Sequence, residues 1–247
     1  MSGLGTVPFD VQQLNVDFCT GGVLKWLCGG PGTTYLYVRP DLAKTLEPRF
    51  PGWMGHRNPF GFEIGSNQYT DSIYRFTQGT PNIPALHAAR PGLKIIAEAG
   101  IENIRQKSRR QTGLLIEMAD RCDWRVNTAR DIERRGGTIS IDMPNAPKVC
   151  DELLKRDVPV DYRPKAGVRY SPHFYNADEK LTKAIATGMR FLVFGKIRAL
   201  RNPHLESHGA FSRPRVENVM RLRVMRLPNA ASNRWYTSTV DISPFLR

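Results

Sequence analysis

Three observations predict an α/β protein. Two apolar, β-rich runs, Val16–Leu24 and Thr34–Val38, flank a glycine-proline turn. A long amphipathic stretch follows over about residues 93–118, and after Trp124 short strand and helix patterns alternate. At 247 residues the chain is long enough to bury a sizeable core in one or two domains.

From Val7 to Val38 the pattern reads strand, turn, strand, with near-continuous apolar runs that suit a sheet covered on both faces. Lys25 stands between the runs, followed by Trp26-Leu27-Cys28-Gly29-Gly30-Pro31-Gly32. An ammonium partly desolvated at a sheet end is biased toward its neutral, nucleophilic form. A surface lysine between two strands is the plain alternative. Residues 48–72 are rich in Pro, Gly, Asn and aromatics without periodicity and predict a long loop, a type that is usually functional or disordered.

Thr80-Pro81 predicts a helix start, a hydroxyl cap with proline in the first turn, running to Arg90 and stopped by Pro91. Leu93, Ile96, Ala97, Ile101, Ile104, Leu115 and Met118 then recur at helical spacing and predict one continuous helix, with Gly100 and Thr112-Gly113 as soft points. Thr138–Asp142 alternates as a strand, Ala146–Lys155 reads as a helix, and Val158–Tyr162 with Gly167–Tyr170 predicts a strand pair. A closing helix over Asp178–Ala186 is expected, capped by Asn176 or Asp178.

The 36 basic against 23 acidic residues would suit nucleic acid, but their placement argues otherwise. Residues 188–247 hold eleven Lys and Arg against three acids, leaving 25 against 20 for residues 1–187. The excess lies in a Pro- and Asn-scattered tail, expected to be poorly ordered. A basic arm for nucleic acid is the competing view, but the tail lacks aromatic interleaving or a recognition motif, so nucleic acid is not an expected partner. No run of roughly eighteen apolar residues predicts a membrane span. The start Met1–Gly5 lacks the pattern of a signal peptide, and the four cysteines are too scattered for a zinc knuckle or disulfide framework. A cytoplasmic protein with reduced thiols is expected, with no metal site.

The blocks Val16-Asp17-Phe18, Val23–Gly32, Gly52-Trp53-Met54-Gly55-His56, Tyr74–Pro81 and Gly167-Val168-Arg169-Tyr170-Ser171-Pro172-His173-Phe174-Tyr175-Asn176 stand in an order that resembles the class V aminotransferase family of pyridoxal-phosphate enzymes, its kynureninase branch above all. The resemblance spans about residues 3–186. It implies the C-terminal part of a PLP-dependent transferase (fold type I) large domain plus a small α+β C-terminal domain. The expected layout is a partial cofactor-binding domain over 1–91, an interdomain helix over 92–120, the small domain over 121–187 and the tail over 188–247.

The resemblance assigns roles as well. It makes Lys25 the catalytic Schiff-base lysine for pyridoxal 5'-phosphate. It places Gly79, Thr80 and Trp53 at the cofactor phosphate, Arg169 on the carboxylate of an amino-acid substrate and His56 on the substrate side. It implies a homodimer with the site shared across the interface. Physical chemistry supports parts of this: a hydroxyl with free N–H groups near a helix start suits an anion, and a planar guanidinium suits a carboxylate.

Two departures accompany the likeness. Kynureninases carry a tyrosine before the lysine where this chain has Leu24, which leaves transamination, desulfuration and lyase chemistry open. The family's Asp-x-x-His segment, whose aspartate pairs with the pyridinium nitrogen, has no counterpart: Ser2 takes the histidine's place. The chain therefore reads as the C-terminal half of such an enzyme, with weak or no turnover and poor solubility expected when it is made alone. A non-catalytic fragment or partner subunit is the alternative function.

Overall fold

The computed structural model of the chain describes residues 3–201, excepting the side chains from 190 onward. It begins with an antiparallel ribbon of β1 (Phe18–Gly22) and β2 (Thr34–Val38), registered from Phe18 opposite Val38 to Gly22 opposite Thr34. The β-branched and aromatic run Thr34-Tyr35-Leu36-Tyr37-Val38 favours this extended pairing. Cys19, Tyr35 and Val38 face inward, whereas Phe18 and Leu36 are about half exposed. The expected sheet covered on both faces is thus covered on one.

A short helix α1 (Pro40–Thr45) leads into the long connection, which holds two single-turn 3₁₀ helices at Trp53–Gly55 and Ile73–Phe76 and an isolated bridge between His56 and Tyr69. Helix α2 (Ile83–Ala99) starts later and ends later than its sequence suggests. Its cap is Asn82, whose side chain accepts the Ala85 N–H at 3.2 Å, and Pro84 occupies the first turn. Thr80 therefore lies upstream of the cap. Pro91 sits inside the helix instead of stopping it. Proline removes one helical hydrogen bond, but Ala89, Leu93 and Ile96 on the same segment are buried, and that packing holds the helix through the defect.

The expected continuous helix is in fact two, α2 and α3 (Ile101–Arg121), broken at Gly100, whose φ of 78° takes it out of the helical region. Beyond α3 come β3 (Arg125–Val126), β4 (Ile139–Asp142), α4 (Ala146–Leu154), β5 (Asp161–Arg163) and β6 (Gly167–Tyr170). The strands form an antiparallel sheet in the order β3-β4-β6-β5. Helix α5 (Asp178–Arg201) runs past the expected end at Ala186. Gly188 does not stop it, and a Cβ added there would meet the Val149 side chain of α4 at 3.4 Å. Asn176, a candidate cap for that helix, accepts the His173 N–H at 2.8 Å instead. The tail beyond residue 201, on which the nucleic-acid reading rests, lies outside the described residues.

Two hydrophobic clusters organise these elements. One unites Leu4, Val11, Cys19, Val23, Leu27, Tyr35, Ala89, Leu93, Ile96 and Ile104. The other gathers Leu115, Ile116 and Ala119 of α3 with Ile139, Ile141, Val149, Leu153, Val168, Leu181 and Ile185. Helix α3 contributes to both, so its two ends are fixed in different cores. Among the described residues no helix is long and apolar enough to cross a membrane.

Candidate active site

Lys25 occupies the turn between β1 and β2, and its side chain is exposed. Its neighbours are not. Val23 and Leu27 are fully buried, and each contributes about 1.5–3 kcal/mol through burial. The Cys28 N–H donates to the Lys25 carbonyl at 3.0 Å and the Gly29 N–H to the Val23 carbonyl at 2.8 Å. Cys28 takes the left-handed conformation, φ 54°, to close this turn. The amine is carried outward on a backbone pinned at both sides, rather than desolvated as its sequence context suggests.

Three glycines from distant segments box the turn in. A Cβ added at Gly5 would lie 2.6 Å from the Trp26 carbonyl oxygen, and one at Gly137 would lie 2.7 Å from the Trp26 indole. One at Gly92 of α2 would overlap the Cys28 carbonyl. The loop after the turn reaches the start of α2, where Gly32 lies against Ala85 and Asn82, two residues beyond Thr80.

Trp53 lies in the first 3₁₀ turn, partly exposed, edge-on to Phe60 at 5.7 Å and stacked with Phe62 at 6.5 Å. Gly52 approaches the Gln78 backbone so closely that a Cβ there would overlap it, so Trp53 and the Gly79-Thr80 segment are brought side by side. Thr80 is exposed, and a Cβ at Gly79 would meet nothing within 4 Å, which leaves that backbone open to a ligand. His56, half-buried, accepts the Asn58 N–H on Nδ1 at 3.0 Å. Arg75 pins this loop from below. Its buried guanidinium donates to the carbonyls of Thr70 and Lys44, both at 3.0 Å, and of Leu46 at 3.1 Å.

Arg169 of β6 is half-buried and forms a two-pronged pair with Asp161 of β5, Nε to Oδ1 at 2.9 Å and Nη2 to Oδ2 at 2.7 Å. The hydrogen bond from Arg169 is the main cause that holds the Asp161 carboxyl below the usual carboxylate range. A fork already engaged on Asp161 leaves Nη1 without a partner among the described residues.

The segments that carry Lys25 and Arg169 meet in an aromatic contact. Trp26 stacks on His173 with ring centroids 5.0 Å apart, and His173 follows Arg169 by four residues. Sequence reasoning alone does not mark Trp26, Cys28, Arg75, Asp161 or His173 as site residues. Four of them stand inside or beside the blocks that carry the family resemblance, and that adjacency was the available signal. Asp161 is identified only by strand pairing, which sets it opposite Arg169.

The exposed Lys25 amine, the exposed Thr80 hydroxyl and the open Gly79 backbone are the kinds of group that an aldehyde bearing a phosphate would use. Among solved structures, the cysteine desulfurase of Thermococcus onnurineus NA1 superposes with a TM-score of 0.69 at 23% identity, covering 77% of this chain and 50% of that one. A Nostoc alanine–glyoxylate aminotransferase superposes with a TM-score of 0.57 at 21% identity, over 77% of this chain and 52% of that one. The architecture is therefore that of the fold type I pyridoxal-phosphate enzymes, in part. The aminotransferase class-V family matches residues 1–155, and the chain belongs to that family. A kynureninase of Pseudomonas fluorescens is 32% identical over 171 residues, 67% of this chain and 41% of the relative. An uncharacterized aminotransferase of Bacillus subtilis, YcbU, is 29% identical over 73% of this chain and 47% of the relative. The chain thus spans somewhat under half the length of these curated relatives.

Proposed function

We propose that the chain is part of a pyridoxal-phosphate-dependent enzyme that acts on an amino acid, kynureninase-like or aminotransferase-like, with Lys25 as the cofactor lysine. The observation that carries this reading is the turn itself: an outward amine whose flanking residues are buried and whose backbone is hemmed by Gly5, Gly92 and Gly137. Bound there, pyridoxal phosphate would supply an electron sink for a substrate carbanion. The chain's own residues would do the rest. Trp53 N–H, the Thr80 hydroxyl and the open Gly79 backbone would hold the phosphate; Lys25 would hold and move a proton at its ε-nitrogen. Arg169 would orient the substrate carboxylate through its free Nη1 edge, with Asp161 fixing the guanidinium plane. His56 would lie toward the substrate.

A homodimer with a shared site, a hydrolytic or transaminating outcome and a cytoplasmic location belong to the same proposal. So does a division into a cofactor domain, a linking helical segment and a small C-terminal domain. A second reading, a non-catalytic piece or partner subunit of such an enzyme, is favoured by the apolar loop that the described residues leave uncovered: Phe50, Phe60, Phe62 and Ile64 are all at least 72% exposed. Adding the cofactor to the purified chain separates the two. The enzyme reading expects a visible absorbance band that disappears in Lys25→Ala, with amino-acid turnover. A chain that gives no band in either form would be the non-catalytic one.

A further inference from the structure

Resting on the cofactor role of Lys25, we propose that His173 is a positioning residue, whose ring locks the Lys25 turn in place against the segment that follows the Arg169 strand. Val23 and Leu27 anchor the turn in the N-terminal hydrophobic cluster, but they say nothing of where β6 lies. The contacts that do so converge on residues 173–175. His173 is 8% exposed, stacks on Trp26 at 5.0 Å with 26° between planes, and stacks on Tyr175 at 4.5 Å with 14°. Its Nε2 lies 3.5 Å from the Cys28 Sγ. Phe174, the next residue, packs into the N-terminal cluster beside the turn.

The hydrogen bonds define the ring's state. The Phe174 N–H donates to His173 Nδ1 at 3.0 Å, so Nδ1 is an acceptor and the ring proton sits on Nε2, facing the Cys28 thiol. The Asn176 side chain accepts the His173 N–H at 2.8 Å, and the Asn176 N–H returns to the His173 carbonyl at 2.9 Å, so the backbone beneath the ring is closed on itself. A ring fixed this way ties the Lys25 turn to the segment that follows β6. Trp26 adjoins Lys25, and the backbone of His173 continues directly from β6. One bound amino acid must meet both the amine and the guanidinium, and a displacement of about 1 Å between such groups costs up to roughly a hundredfold in reactivity.

The test uses the full chain, pyridoxal phosphate and borohydride, followed by peptide mapping. The ε-amine and the aldehyde combine with loss of water, and borohydride fixes the product as a secondary amine. Label on Lys25 is compared with label on Lys44, which is also exposed. The wild-type chain is expected to favour Lys25. His173→Ala should lower that preference about tenfold, while His173→Phe, which keeps a stacking face and drops the ring nitrogens, should restore most of it. His173→Leu, of larger apolar volume, serves as the unstacked variant should the alanine form fail to give a native circular-dichroism spectrum.

A second readout needs no cofactor. Iodoacetamide should modify Cys28 faster in the alanine or leucine form than in the phenylalanine form, because the covering ring is gone. Undiminished Lys25 preference in the unstacked forms overturns the positioning role alone, as does an unchanged Cys28 rate. No Lys25 preference in the wild-type chain overturns the cofactor reading and this inference with it.

Discussion

Around Lys25 the chain supplies its own walls: two fully buried flanking residues, a left-handed cysteine, three close glycines and a stacked histidine. Around Trp53 it supplies a floor and little more. Arg75 ties the loop to the α1 end through two carbonyls, yet Phe60 and Phe62 touch Trp53 while remaining 72% and 75% exposed. The turn is determined by packing within the chain, whereas the aromatic loop offers apolar surface for something else to cover. A reactive group that must be aimed calls for the first kind of construction. A surface that is completed by a partner can be of the second kind.

Breaking the turn should therefore cost far more than altering the loop. Leu27→Ala removes a fully buried side chain beside Lys25 and should destabilise the chain by about 3 kcal/mol, read as a lower urea midpoint at unchanged slope. A loss well below 1 kcal/mol would mean that the site collapses freely and is not rigid.

A smaller effect should follow from acid. Burial holds the His173 imidazole below its ordinary value, against a weaker opposing pull from the Trp26 carbonyl. The unfolded chain therefore takes up the proton first. The fold keeps its full stability above about pH 6.5 and loses part of it as pH falls through that value toward the lower folded one. The urea midpoint should drop between about pH 7.5 and about pH 5.5 in the wild-type chain and stay level in His173→Phe. An equal drop in both forms would assign the titration to another group.

The smallest change belongs to the loop. Phe62→Ser, at a position mostly in water, should shift stability by less than about 0.5 kcal/mol while reducing light scattering of the concentrated chain. A large destabilisation would show that the aromatic trio is a core of its own, and the contrast between the two regions would fail.

Much of the C-terminal half was legible from pattern. The alternation at Thr138–Asp142 is β4, the helix at Ala146 is α4, and the expected strand pair is β5 with β6, β5 beginning at Asp161 and not at Val158. These elements are short and amphipathic, so local periodicity and burial agree. The helical segment in the middle misled for a physical reason. Pro91 predicts a stop and Gly100 only a soft point, but tertiary burial carries α2 through the proline, and the positive φ of Gly100 ends it. Thr80 before Pro81 predicts a cap, but Asn82 outcompetes it two residues later.

By itself the sequence determined the family, through its separated blocks, and with it which side chains were worth watching: Lys25, Trp53, His56, Thr80 and Arg169. Their surroundings came from contacts between positions far apart along the chain. That Lys25 points outward on a braced turn, that Asp161 occupies the Arg169 fork, and that His173 stacks on Trp26 beside that turn were decided by tertiary structure. No local pattern encodes them, because stacking, strand pairing and close glycine approach depend on how distant segments meet in space.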